Sequence, residues 1–165
     1  KYDKGIYYIP KKTMLKATVG PSADMVARYR FVTKGEEIFG YYSGNSFANQ
    51  LGISMQVPRK IEIVSNNSNS SPREIEIGGR KFLIRKSSIV INRENVYVLQ
   101  LLELLKNIEV YMDGSYDEAR VKIEEYIDIH DIRKESVNRY IREFPINVFK
   151  NYYELGLDNV FAQRK

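Results

Sequence analysis

Few residues in this chain have the types and spacing that chemistry needs. His130 is the single histidine, and there is no cysteine. One imidazole cannot build a zinc site, which takes about four nitrogen or sulfur ligands. With Asp128 and Asp131 beside it, His130 reads as a turn or cap residue between two helices. Ser43 is the serine a triad would need, yet no Gly-x-Ser-x-Gly surrounds it, and it reads as a helix cap. Glu62, Glu74, Glu76 and Lys81 fall on predicted strands, and carboxylates beside a lysine are what a metal-dependent nuclease gathers. Glu74 and Glu76 also alternate strictly with Ile75 and Ile77, the pattern of a solvated sheet face. Asn49-Gln50 could bond an adenine edge, but on a short helix bracketed by glycines they more readily bond nearby backbone. The Gly35-x4-Gly40 spacing is no phosphate loop, because Tyr41-Tyr42 stands where Lys-Ser/Thr must.

Charge points to phosphate more than to catalysis. The net charge is +5 over 165 residues. Residues 1–60 hold 10 Lys/Arg against 4 Asp/Glu, an excess of 6 positive charges, while residues 113–165 hold 9 against 11. A basic N-terminal third suits a polyanion, although it also fits an ordinary solvated surface. Lys4, Lys11 and Lys12 flank Tyr7-Tyr8, a pairing that can hold phosphate or stack on bases. The plainer reading of the 13 tyrosines is that they replace the absent tryptophan as large amphipathic filler.

With 43% hydrophobic and 28% charged residues the chain is globular. No apolar run approaches the roughly 18 residues of a membrane span, and Lys1 is followed by no signal-peptide core. An intracellular, cytoplasmic protein with no membrane contact is the expectation.

The elements that must position these residues follow from periodicity. Gly5–Ile9 reads as a strand closed by Pro10. Gly20-Pro21 predicts a helix start, with Met25, Val26 and Tyr29 on its apolar face. Ile38–Tyr42 predicts a short strand. Phe47, Ala48 and Leu51 share a helical face, with Gly52 at the C-terminal cap and Pro58 blocking a restart. Residues 65–72 form an Asn/Ser-rich loop expected to be mobile. Gly78-Gly79 predicts a hairpin between 74–77 and 80–85, giving with 61–64 at least three antiparallel strands and a possible fourth over 88–91. Asn92 predicts a cap for a nearly all-apolar central helix over 93–107, with Gln100, Glu103 and Lys106-Asn107 as its polar stripe. Ser115 and Glu118 predict a capping box, Asp131 a further cap, and Pro145 and Gly156 bound a last helix. The layout is α+β: a small mixed or antiparallel sheet followed by a helical C-terminal half.

The block Gly40–Val64 resembles the "GY-SG-FxNQLG-xxQVP-xxEIV" block of AbiEi-like antitoxins of type IV toxin–antitoxin systems. Gly40, Tyr41, Ser43, Gly44, Phe47, Asn49, Gln50, Leu51, Gly52, Gln56, Val57, Pro58, Glu62, Ile63 and Val64 carry it. The resemblance extends from Gly5 to about Ile108. It implies that residues 1–12 are the end of a largely truncated winged helix, 13–112 an α/β core and 113–165 a helical extension. It also implies a non-enzymatic antitoxin and transcriptional autoregulator, without cofactor. Such a protein would contact its own promoter DNA through its full-length form, with Lys4, Lys11 and Lys12 on phosphate, and oppose the effect of a nucleotidyltransferase-like toxin, this chain being a fragment that lacks most of the DNA-reading winged helix. The alternative within the same family is a regulator with no toxin, whose C-terminal domain forms a homodimer or senses a ligand.

Overall fold

The computed structural model describes Ile9, Lys11, Lys12 and residues 18–164. Lys4, Tyr7, Tyr8 and most of the predicted Gly5–Ile9 strand lie outside the described residues; Ile9 itself is exposed and in no strand. β1 (Lys11–Lys12) pairs antiparallel with β2 (Thr18–Val19).

The architecture is α+β. Its centre is a four-stranded sheet of β5 (Gly40–Ser43), β6 (Lys60–Ser65), β7 (Arg73–Ile77) and β8 (Arg80–Lys86) in the order β5-β6-β8-β7. β7 is antiparallel to β8, as the Gly78-Gly79 turn predicts, and β5 is antiparallel to β6. β6 and β8, however, are parallel, which corrects the expectation of three antiparallel strands over 61–64, 74–77 and 80–85 and makes the sheet mixed. The residues between β6 and β7 carry the chain past one strand position, and β8 then returns into the gap. The fourth strand is Gly40–Ser43, and 88–91 forms bends instead. Residues 65–72 are anchored at one end: Asn66 Nδ2 donates to the Ile91 carbonyl at 2.8 Å, and the Ile91 N–H donates to Asn66 Oδ1 at 2.9 Å.

Each sheet face has its own cover. Ile61, Ile63, Ile77, Phe82 and Ile84 pack with Val26, Ala27 and Phe31 of α1 (Ala23–Phe31). α1 starts at Ser22, whose Oγ accepts from the Met25 N–H at 3.2 Å, not at Pro21. Its buried face is Val26, Ala27 and Phe31, while Met25 and Tyr29 point outward. A two-strand hairpin, β3 (Thr33–Lys34) with β4 (Glu37–Ile38), links α1 to the sheet, so the predicted Ile38–Tyr42 strand is broken at Phe39.

On the other face, Tyr41 and Val64 meet Val96 and Leu99 of α3 (Val96–Leu105). α3 is buried nearly all round, as its composition predicts. Its predicted polar stripe is a correction: Gln100 and Glu103 are buried too. The helix starts later than predicted, with Asn95 at the cap. Asn92 holds the preceding turn, its Oδ1 accepting from Glu94 and Asn95 N–H groups.

The largest core joins α3 to α2 (Gly44–Gln50), α5 (Tyr116–Ile129), α6 (Lys134–Tyr140), α7 (Ile146–Glu154) and α8 (Leu157–Ala162), with the short α4 (Ile108–Tyr111) between α3 and α5. Ser115 and Glu118 form the predicted capping box, with bonds of 3.2 and 2.9 Å. Asp131 caps no helix: it sits at φ 47, and the next cap is Arg133, without a side-chain bond. Buried Asn151 donates to the Leu105 carbonyl at 2.7 Å, so α7 satisfies the end of α3. Among the described residues, no helix is long and apolar enough to cross a membrane.

Candidate functional site

The Gly40–Val64 block divides between two places. Gly40, Tyr41, Tyr42, Phe47 and Gln50 line a cleft of about 330 Å³, with Arg28, Tyr97, Gln100, Tyr126 and His130 around the rest of it. The second place is a charged junction between sheet and helices, which holds Ser43, Gly44 and Glu62.

Helix periodicity builds the cleft. Tyr126 and His130 are one turn apart at the end of α5, and Tyr97 and Gln100 are one turn apart on α3. The His130 ring stacks on Tyr97 at 3.7 Å and 19°, and it meets Tyr126 at 4.5 Å. Phe47 closes the floor edge-on to Tyr126 at 5.2 Å. The buried Tyr126 hydroxyl donates to Gln100 Oε1, and Gln100 Nε2 donates to the Tyr42 carbonyl, both at 2.7 Å. Burial pushes the phenols of Tyr41 and Tyr126 well above their ordinary range, so both stay neutral.

The sequence places His130 beside acids, as a turn residue. It does end α5, but Asp128 turns to Arg164 and Asp131 to Arg133. Burial lowers the His130 pKa below its usual 6.5. The unfolded chain therefore takes up that proton more readily, and stability is lost as pH falls through about 6.5 and on through the lower folded value. We expect the melting temperature to drop between about pH 8 and pH 5 by more than it drops in His130→Gln. Equal profiles for the two proteins, followed by calorimetry, would contradict this.

The junction is a shared ion network. Arg85 on β8 reaches Glu103 of α3 at 2.9 Å, Glu62 of β6 at 3.5 Å and Ser43 Oγ at 3.2 Å. Lys106 holds the same Glu103 at 3.1 Å. Burial opposes the Arg85 charge, but Glu103, Glu62 and Tyr41 outweigh it and raise its pKa. Ser43 is the first residue before α2, yet its side chain makes no cap bond; Arg85 takes it instead. Gly44, at φ 60, leaves space that the Glu62 carboxylate fills: a Cβ there would lie 2.4 Å from Glu62 Oε1.

The other predicted residues fall elsewhere. Asn49 Nδ2 donates to the Ser54 carbonyl at 3.0 Å, and Gly52, at φ 73, follows the end of α2. Gln56 and Pro58 lie on a surface loop with exposed Met55 and Val57. The register puts Glu62, Glu74, Glu76 and Lys81 on one sheet face, as a nuclease would need. Each acid there stands against a cation, however: Glu74 on Lys60 at 2.6 Å, Glu76 opposite Lys81, and Glu62 on Arg85. Among the described residues no three acidic or imidazole groups converge to hold a metal ion.

A basic surface lies on the other side of the sheet, beside the exposed Tyr29 ring and above the buried Phe31 ring. The Arg30 guanidinium of α1 and the Arg73 guanidinium of β7 both stand over the Phe31 ring, at 5.2 and 5.9 Å. Lys34 Nζ lies 5.4 Å over the Tyr29 ring. Arg30 and Lys34 belong to the basic N-terminal third, but Arg73 joins them only through strand order. Lys11 and Lys12 form β1.

A family model described as a family of unknown function, DUF6088, matches residues 1–133. That span contains every residue lining the cleft. No curated protein and no solved structure matches the chain.

Proposed function

The chain belongs to the DUF6088 family, and on that premise we propose that it is a non-enzymatic regulator that contacts DNA phosphate and acts as an AbiEi-like antitoxin. The observation that supports this most is the gathering of Arg30, Arg73 and Lys34 over the Tyr29 and Phe31 rings. Cations at a surface suit a backbone of phosphates, and the exposed Tyr29 ring can meet a base, whereas the buried Phe31 ring only seats the two guanidinium groups. Lys4, Lys11 and Lys12 extend the same basic N-terminal third. The antitoxic part rests on the Gly40–Val64 resemblance, as does opposition to a nucleotidyltransferase-like toxin. The absence of catalysis is supported by the charged groups themselves, since the acids of the sheet face and the junction stand against cations.

In cells, a reporter driven by the gene's own upstream region should be repressed by this protein. Lys34→Ala with Arg73→Ala should release it. Coexpression should also restore growth to cells carrying an adjacent nucleotidyltransferase. Repression without rescue favours a regulator that has no toxin, and failure of both contradicts the proposal.

A further inference from the structure

We propose that the cleft between α1, β5, α2, α3 and α5 binds a free nucleotide, its base against the Tyr97–His130 walls and its phosphate at Arg28. This goes beyond the DNA reading and does not rest on it, because the cleft and the Arg30–Lys34–Arg73 surface use different side chains.

Shape and chemistry both point this way. The cleft volume of about 330 Å³ is at the small end of ligand sites, which suits one nucleotide. Its aromatic lining is Tyr42, Tyr97 and His130 beside the buried Tyr126. Tyr97 and His130 each cover one face of the other, so a base would stack on the face that this pair leaves open. Gln100 is committed at both ends of its amide to Tyr126 and Tyr42, so it fixes the walls and does not reach the ligand. Gln50 and His130 remain. Among the described residues neither side chain has a hydrogen-bond partner, and both line the cleft. An amide and a neutral imidazole can each donate to and accept from a base edge.

Charge selects an anion. Arg28 is the one lining residue with a full charge at neutral pH, and among the described residues no carboxylate lines the cleft. Asp24, the nearest acid felt by Tyr42, is tied to Arg80 at 2.6 Å. The Arg28 guanidinium is exposed and, among the described residues, unpaired, so it can take a phosphate without breaking an existing bond.

Calorimetry on the intact chain tests this with AMP, CMP, adenosine, ribose phosphate and a short single-stranded oligonucleotide. AMP or CMP should bind, with adenosine and ribose phosphate each weaker by about tenfold. Arg28→Ala should weaken AMP by about tenfold and leave adenosine unchanged. Tyr97→Leu should weaken AMP and adenosine alike. Arg28 is exposed, so its variant should melt with the parent protein. Lys34→Ala with Arg73→Ala should leave AMP binding intact, which separates this site from the DNA surface. Binding of the oligonucleotide alone, no binding of AMP or CMP, or an AMP affinity indifferent to Arg28→Ala would overturn the proposal.

Discussion

Arg85→Met should lower the unfolding free energy by about 3 kcal/mol. The reason is the group left behind. Glu103 is only 9% exposed, and Arg85 is one of its two cations. Without the guanidinium, Glu103 keeps Lys106 alone, while Glu62 and the buried Ser43 are each deprived of a partner. A carboxylate at that depth without full pairing is expensive, whereas replacing the pair together is far less so. The double variant Arg85→Met with Glu103→Gln should therefore recover at least about 1 kcal/mol of the loss. Urea unfolding followed by circular dichroism reads both values. Additive losses in the double variant would mean that the junction is not a coupled network.

Gly40→Ala should cost a similar amount, about 3 kcal/mol, for a steric reason. A Cβ at Gly40 would stand 1.9 Å from the Phe31 carbonyl oxygen and 2.9 Å from that of Val64. Both are backbone atoms, one at the end of α1 and one inside β6, so neither gives way cheaply. Gly35→Ala is the matched control. Gly35 has φ +61 but nothing within 4 Å of its added Cβ, so only the left-handed backbone strain of about 1 kcal/mol applies. Equal losses in the two variants would show that close approach is not what Gly40 provides.

The parts of this fold legible in the sequence are those set by local pattern. The apolar circumference of Val96–Leu105 marks a central helix, and the Ser115/Glu118 spacing marks a capping box. Gly78-Gly79 marks a hairpin whose apolar face holds Ile77, Phe82 and Ile84. What depends on long-range pairing is not legible. Nothing local says that β8 inserts beside β6, and that insertion alone makes the pair parallel and brings Arg85 to Glu62. Gln100 and Glu103 look like a solvent stripe because their partners, Tyr42, Tyr126 and Arg85, come from other elements. The cleft is hidden for the same reason. His130 shows only its acidic neighbours in sequence, while its stacking partner Tyr97 lies on a different helix. The basic excess of the N-terminal third is visible, but its convergence with Arg73 is not.

Fluorescence anisotropy bears most directly on a DNA-contacting regulator. It would use labelled duplex from the gene's own upstream region, over a series of salt concentrations. Binding should weaken steeply with salt, as counterion release requires. Lys34→Ala with Arg73→Ala should reduce the logarithmic salt slope by about 2, because each removed cation leaves one phosphate with its counterion. A salt-independent affinity, or a slope unchanged in that double variant, would contradict DNA contact through this surface.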